Sequence, residues 1–113
     1  MHTDPETNLV LTVPEPWPGH DRALIAAYKR LEEEDEAEIE CGVEAFADER
    51  REYFQDRVFA RSVDQGCAHD TATVALEEED EEAAEAHRGY LTMAFDDNRE
   101  ERARDEIAEA RAA

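Results

Sequence analysis

The sequence predicts an all-α protein, a small bundle of three or four helices that follows an extended N-terminal arm. The large apolar residues recur at helical spacing, eight residues are aromatic, and Gly, Pro and Ser are scarce among the 113 residues. The arm is expected over residues 1–20, followed by one acidic helical domain over residues 21–113. Leu, Ile, Val and Phe together number only nineteen, so the core should be thin and rich in Ala.

The N-terminal arm contains the only strand-like run of the chain. Residues 1–7 are polar and are expected to fray. Asn8–Val13 is apolar and β-branched, which predicts a short extended segment over residues 8–13 that stops at Pro14. With no second strand expected, this segment should pack on the helices; pairing with a second copy or with a partner's sheet edge is the alternative. Trp17 is expected to anchor one end of the core, with an exposed contact role as the alternative.

The first helix should begin at Asp21, a good N-cap residue, and end or kink at Gly42. Its buried face is marked by apolar residues three or four positions apart. These residues are Leu24, Tyr28 and Leu31, and the stripe resumes at Ile39. Asp35 occupies the intervening position of the stripe, so the helix is expected to continue while its core face is interrupted.

A second helix is predicted beyond Gly42, with a mixed acidic and basic outer face. Its apolar face consists of Val43, Phe46, Phe54 and Val58, widened by Tyr53 and Phe59. Arg50, Arg57 and Arg61 alternate with acids, which is typical of an ordinary salt-bridged surface. This helix is therefore interpreted as structural.

The third helix should follow a loop around Gly66, with Asp70 or Thr71 as its cap. Its apolar positions are Ala72, Leu76, Ala83, Tyr90, Leu91 and Phe95. Residues 96–98 resemble a new cap, so the chain either breaks there or continues as one helix to Ala112. The last segment has a weak apolar stripe, Ala103, Ile107 and Ala110, and is expected to fray or to need a partner.

Acidic charge is concentrated in two runs. Of the net charge of −20, segments 32–49 and 64–85 carry −10 and −9. Seven acids lie between Glu32 and Glu40; at a rise of about 1.5 Å per residue this is one charge per roughly 2 Å, against about 1.7 Å in duplex DNA. The candidate partner-binding residues are Glu32, Glu33, Glu34, Asp35, Glu36, Glu38 and Glu40 in the first run, and Glu77, Glu78, Glu79, Asp80, Glu81 and Glu82 in the second.

Each run contains the same hexapeptide, Leu-Glu-Glu-Glu-Asp-Glu, at Leu31–Glu36 and at Leu76–Glu81. Acidic low-complexity runs match one another easily, so the repeat is interpreted as two similar patches and not as a duplicated hairpin. Consecutive acids surround a helix on all sides. Both runs are therefore expected to extend beyond the core, where solvent reaches every face.

Four residues of the sequence are candidate metal ligands, but no complete metal-binding or catalytic motif is present. Cys41, Cys67, His69 and His87 supply ligand types that zinc prefers, but their spacing does not match short zinc-binding motifs. The two cysteines are expected to be free, buried thiols. The sequence also lacks a nucleophile elbow, a glycine-rich phosphate loop and a calcium loop. A non-enzymatic protein without a cofactor is the expectation.

Charge and composition also limit the kinds of partner that this protein is expected to bind. A pI near 4.3 disfavours nucleic acid and anionic membranes, since both would repel the protein, whereas basic protein surfaces would attract it. No apolar run is long enough to span a membrane and no signal peptide is evident, so a cytoplasmic location is expected. The thin core could gain from a second copy, which leaves a homodimer open.

The leading hypothesis is an interaction protein that covers the basic, nucleic-acid-binding surface of another protein. In size, charge and helicity the chain is similar to the DNA-mimic inhibitors of restriction and CRISPR systems that phages and mobile elements encode, although no family motif matches residue by residue. One alternative is a helical scaffold or regulatory domain whose acidity is an adaptation to salt, since eleven of the twelve basic residues are Arg. A metal-binding helical bundle is the third hypothesis.

Overall fold

The computed structural model describes residues 2–12 and 14–112 and confirms the all-α class. Two short strands, β1 (His2–Thr3) and β2 (Val10–Leu11), precede three helices. The helices are α1 (His20–Arg51), α2 (Phe54–Gln65) and α3 (His69–Ala112). The residues group into two compact units, one formed by Met1–Glu38 with Thr92–Ala113 and the other by Ile39–Leu91. We call these the first unit and the second unit.

The strand-like run does have a partner, contrary to expectation. β2 pairs antiparallel with β1, with His2 opposite Leu11 and Thr3 opposite Val10. A turn joins the strands, and Asp4 stabilises it by accepting hydrogen bonds from the Thr7 backbone N–H and hydroxyl at 2.9 and 2.7 Å. The expectation that residues 1–7 fray was therefore wrong for residues 2–7, because side-chain capping and a neighbouring strand hold them. Met1 lies outside the described residues. Val13, the last residue of the predicted segment, lies outside the described residues.

Helix α1 begins one residue earlier than predicted and passes through the predicted end. Asp21 lies in its first turn, and the capping acceptor is Glu15, whose carboxylate accepts from the backbone N–H groups of Gly19 and Asp21 at 3.3 and 3.0 Å. Gly42 lies inside the helix, so the predicted end there was wrong. Leu91 Cδ1 lies 2.9 Å from where a Cβ of residue 42 would be, so this glycine serves a close approach.

The interruption between the first two helices falls at Glu52 and Tyr53 instead. Tyr53 adopts a left-handed conformation, with φ 60° and ψ 20°, immediately before α2. Such a conformation is uncommon for a bulky residue. Gly66, also left-handed with φ 61°, ends α2 and donates its backbone N–H to the Ser62 carbonyl.

Helix α3 starts at His69, and the Ala68 carbonyl accepts its first helical hydrogen bond from Ala72 at 3.0 Å, so the predicted caps Asp70 and Thr71 were two to three residues late. Of the two alternatives for residues 96–98, the continuous helix to Ala112 is confirmed. Its C-terminal segment does not need a partner to be packed, since Ala103 and Ile107 are buried; Ala110 is exposed.

The core of the first unit joins the hairpin to the two long helices. Its buried members are Leu9, Leu11, Leu24, Ala27, Ala103 and Ile107. Trp17 packs against this cluster, which confirms its anchoring role, and the Arg111 guanidinium lies 4.7 Å from the centre of its ring. Within this unit α1 and α3 run antiparallel, because Arg30 pairs with Glu106 while Asp35 pairs with Arg102.

The core of the second unit is smaller. Val58, Ala72 and Leu76 form its buried cluster, with Phe54 and Cys67 packed against it. Three aromatic residues that were expected on apolar faces are exposed instead: Tyr53, Phe59 and Tyr90, at 70%, 69% and 68%. Tyr53 and Phe59 are exposed because the interruption at Glu52 and Tyr53 changes the phase of the helical stripe predicted to run through them, whereas Tyr90 lies on the exposed side of α3.

Candidate functional site

The two hexapeptides each direct one aspartate inward. In the first unit, Leu31 packs against the core and Asp35, four residues later on the same helix face, is buried. Arg102 donates to both carboxylate oxygens of Asp35 in a fork, with Nη2–Oδ2 at 2.6 Å and Nη1–Oδ1 at 3.2 Å. Arg99 donates its Nε to Oδ2 at 2.9 Å. Asp35 thus binds two arginines of α3.

Burial and hydrogen bonding act in opposite directions on this cluster. Burial by itself raises the pKa of Asp35, but the hydrogen bonds from Arg102 and Arg99 outweigh it and lower the pKa below its usual value. Burial likewise lowers the pKa of Arg99, and hydrogen bonds with Asp35 and Tyr28 reverse this effect, so the pKa is raised. Both groups are therefore charged in the folded protein at neutral pH.

The second unit repeats this arrangement. Leu76 is buried and Asp80, four residues later, accepts from Arg57 in a fork, with Nη2–Oδ1 at 2.9 Å and Nη1–Oδ2 at 3.1 Å. Arg50 donates its Nε to Oδ1 at 3.0 Å. The hydrogen bond from Arg57 is the main cause of the lowered pKa of Asp80. The expectation that both acidic runs extend beyond the core was wrong, because Asp35 and Asp80 face inward to arginines.

The resemblance between the two clusters extends to their arginines. The arginine that donates through Nε stacks on an aromatic ring at 5.4 Å in both units: Arg99 over Tyr28, and Arg50 over Phe46. The arginine that forms the fork also donates to a main-chain carbonyl, Arg102 to Phe95 at 3.5 Å and Arg57 to Arg50 at 2.8 Å. The repeated hexapeptide therefore encodes a repeated ion-pair cluster.

The other acids of the first run are exposed, and some have cationic neighbours. Glu34 accepts from Arg30 at 3.0 Å, Glu40 pairs with Arg88, and Glu32 lies 3.8 Å from Arg99. The remaining three form no ion pair within the part of the chain that the structure describes. They are Glu33, Glu36 and Glu38.

The second run is divided in the same way. Glu79 accepts from Arg61 at 2.7 Å, and this hydrogen bond lowers the pKa of Glu79. Four further glutamates are exposed and, among residues 2–12 and 14–112, form no ion pair. They are Glu77, Glu78, Glu81 and Glu82. Both runs thus place a paired aspartate inside and unpaired glutamates outside.

A cleft of about 810 Å³ lies beside the second run, within the second unit. Tyr53 and Phe54 contribute its aromatic surface, and Glu77 and Glu81 belong to its acidic wall. Sequence reasoning missed this cleft, because it depends on the left-handed conformation of Tyr53, and no glycine or proline marks that position. The Leu-x-x-x-Asp spacing, by contrast, was visible in both hexapeptides.

The candidate zinc ligands lie apart in the structure. Cys41 is exposed and Cys67 is half-buried; both are free thiols as expected, but the expectation of burial was wrong for Cys41. His69 is exposed at the start of α3, whereas His87 stacks on Phe46 at 4.5 Å. In the described ranges, no three His, Cys, Asp or Glu side chains are grouped so that they could hold a metal ion.

No protein-family model, curated protein or solved structure matches the chain. Over the described residues, none of the helices has the length and apolar character needed to cross a bilayer. Functional inference therefore depends on the placement of charge and on the cleft.

Proposed function

We propose that this protein is a non-enzymatic interaction protein whose unpaired carboxylates bind a basic, nucleic-acid-binding surface of another protein. The observation that carries the proposal is the division within each run. Arginines neutralise the inward aspartates, and the outward glutamates keep their charge without a partner in the described part of the chain. A surface of this kind presents carboxylates where a nucleic acid would present phosphates.

Binding of this type would begin with electrostatic steering. The net charge of −20 attracts a basic partner over a range that shortens as salt is added, since the screening length is about 10 Å at 0.1 M salt. Complementary charge mainly accelerates association and selects the partner. The inhibited activity would be nucleic-acid binding by the partner, because both ligands compete for the same cationic groups.

The test is competition with nucleic acid, measured with charge-neutralised variants. Basic proteins captured from a nuclease-treated lysate should elute with salt, and the purified partner should lose DNA or RNA binding in a mobility-shift assay when this protein is added. The variant Glu77→Gln, Glu78→Gln, Glu81→Gln, Glu82→Gln should inhibit less. A change of the first run, Glu33→Gln, Glu36→Gln, Glu38→Gln, should act in the same direction.

A control variant removes the same charge elsewhere on α3. Asp97, Glu101, Asp105 and Glu109 are exposed, lie outside the two runs and form no ion pair in the described ranges. Their neutralisation should leave inhibition nearly unchanged. Equal inhibition by the wild type and by both run variants would refute the proposal.

The exposed acids neutralised in the control variant favour a second candidate function, a helical scaffold whose acidity is an adaptation to salt. These acids are Asp97, Glu101, Asp105 and Glu109. Unpaired acids occur on the C-terminal part of α3 as well as in the runs, and the buried cluster of the second unit is small. Circular dichroism melting from about 50 mM to about 3 M KCl separates the candidates, because surface charge is strongly screened over this range. Cooperative folding at low salt supports the interaction protein, and folding only in molar salt supports the scaffold.

A further inference from the structure

The cleft of the second unit combines aromatic and acidic groups on opposite elements. α1 ends at Arg51 and α2 begins at Phe54, and between them Tyr53 is 70% exposed and lines the cleft. α3 supplies Glu77 and Glu81, which are four residues apart and therefore lie on one helix face. A ligand in the cleft would contact rings on one side and carboxylates on the other.

The charge of the cleft is negative after internal pairing is considered. Asp80, which also lines the cleft, is neutralised by Arg50 and Arg57, and Arg51 donates to Asp48 at 2.7 Å. Glu77 and Glu81 have no such partner among the residues that the structure describes. Beside its aromatic surface, the cleft therefore presents two carboxylates that have no ion-pair partner in the described part of the chain.

The protein itself contains two examples of the cation that fits such surroundings. Arg99 lies over the Tyr28 ring while it binds Asp35, and the second cluster repeats this with an arginine over Phe46 that binds Asp80. A guanidinium is planar, so it stacks on a ring and forks to a carboxylate at the same time, which an ammonium does not do.

We propose that the cleft receives an arginine side chain of the partner protein, stacked against Tyr53 and bound by Glu77 and Glu81. This inference rests on the proposed function and names one contact within it. The cleft would fix the position of the partner, while the surrounding glutamates provide attraction without specific geometry.

The first experiment uses a defined probe, an acetylated and amidated Gly-Arg-Gly-Arg-Gly peptide, titrated into the ¹⁵N-labelled protein. Backbone NMR shifts are expected to concentrate in residues 51–56 and 77–84, with weaker binding by the lysine peptide. The citrulline peptide, which keeps the shape and loses the charge, should bind much less. Shifts of equal size in residues 32–40, or equal binding of the citrulline peptide, would overturn the inference.

Matched variants test the aromatic side of the cleft, at Tyr53, and its acidic wall, at Glu77 and Glu81, separately. Tyr53→Ala should weaken arginine-peptide binding by about twofold to fivefold, the usual strength of an exposed cation–π contact. Phe59→Ala is the control, because Phe59 is equally exposed, at 69%, and does not line the cleft. Tyr53→Asn provides a second variant, since Asn tolerates the left-handed conformation. Loss of binding in both residue-53 variants supports the inference, and unchanged binding in either, once folding is verified by circular dichroism, refutes it.

The acidic wall has a control in the same run. Glu77→Gln with Glu81→Gln should weaken peptide binding several-fold more than Glu78→Gln with Glu82→Gln, which removes equal charge from the same helix outside the cleft. Equal losses of peptide affinity in the two double variants would refute the proposed arginine site in the cleft and would not contradict the proposed function. If neutralising both acidic runs leaves partner inhibition intact while the wild-type protein still binds the arginine peptide in the cleft, the proposed function fails and the arginine site remains.

Discussion

Arg99 donates its Nε to Asp35 Oδ2 at 2.9 Å, and the two side chains are only 5% and 3% exposed. Water is therefore largely excluded from both charges, and their neutralisation is completed by Arg102, which forks to Asp35, and by Asp96, whose Oδ1 lies 2.6 Å from Arg99 Nη1. The equivalent pair in the second unit, Arg50 with Asp80, is more accessible, at 36% and 18%. The two clusters share a geometry and differ in burial, so they should differ in their contribution to stability.

Asp35→Asn is expected to destabilise the first unit by about 1.5–3 kcal/mol, the usual net contribution of hydrogen bonds to charged groups, because Arg99 and Arg102 lose their shared carboxylate while Asp96 remains beside Arg99. Urea unfolding followed by tryptophan fluorescence measures this effect, since Trp17 is the only tryptophan and packs in the same unit. Glu33→Gln, an exposed change on the same helix, should have little effect.

The comparison with Asp80→Asn gives a further control. Asp80→Asn should lower the free energy of unfolding less than Asp35→Asn does. The side chains of the Asp80 cluster are more exposed, so water can replace part of the lost interaction. Hydrogen exchange of the α2 amides would report on the second unit. Wild-type stability of Asp35→Asn would show that the buried pair does not stabilise the fold.

Stability should fall in acid because of Asp35. Its pKa is lowered in the folded protein, relative to about 3.9 in an unfolded chain. Stabilisation by a group whose pKa is lowered is present above the unfolded value and is lost as the pH falls through the folded value. The urea midpoint from Trp17 fluorescence should therefore decrease as the pH is lowered below about 4, and Asp35→Asn should show a smaller decrease. An identical pH profile in the variant would contradict this assignment.

Two helical glycines should respond differently to alanine. Gly89 has no atom within 4 Å of an added Cβ, so Gly89→Ala should stabilise the protein by about 0.5–1 kcal/mol through helix propensity. Gly42→Ala should stabilise the protein less than Gly89→Ala, or should destabilise it. The new Cβ would lie 2.9 Å from Leu91 Cδ1, so the Leu91 side chain would have to shift. Thermal melting by circular dichroism measures both. A larger gain at residue 42 than at residue 89 would show that Leu91 does not constrain the site.

The left-handed Tyr53 should carry a conformational cost. Tyr53→Gly is expected to stabilise the second unit by up to about 1 kcal/mol, since glycine adopts φ 60° without strain and the lost side chain is mostly exposed. Phe59→Gly, at a similarly exposed position inside α2, should instead destabilise by about 0.5–1 kcal/mol. Melting temperatures of Tyr53→Gly and Phe59→Gly that shift in the same direction relative to the wild type would contradict this expectation.

Local periodicity was enough to identify the helices and one unusual core position. The stripe from Leu24 to Ile39 predicted a buried helix face, and Asp35 was located within it from spacing alone. The candidate acidic residues were also visible as two runs. Which carboxylates stay unpaired was not, because that depends on arginines up to 67 residues away.

Helix ends were harder to predict where tertiary packing competes with local preference. Gly42 is a favourable helix end by composition, yet the helix continues because Leu91 packs closely against it. The interruption falls at Tyr53, where no sequence signal for a left-handed residue exists. The strand partner of Val10–Leu11 was missed for a similar reason, since His2–Thr3 is too short to show a strand pattern.

The sequence by itself therefore determined the helical class, the thin core and the two acidic runs, because periodicity and charge are local properties of the chain. Tertiary structure alone decided that Asp35 and Asp80 each bind two arginines, that seven glutamates of the two runs form no ion pair among the described residues, and that a cleft forms beside Tyr53. The physical reason is that these features depend on contacts between residues far apart in the chain: α1 packs antiparallel on α3 within each unit, and α2 brings Arg57 to Asp80.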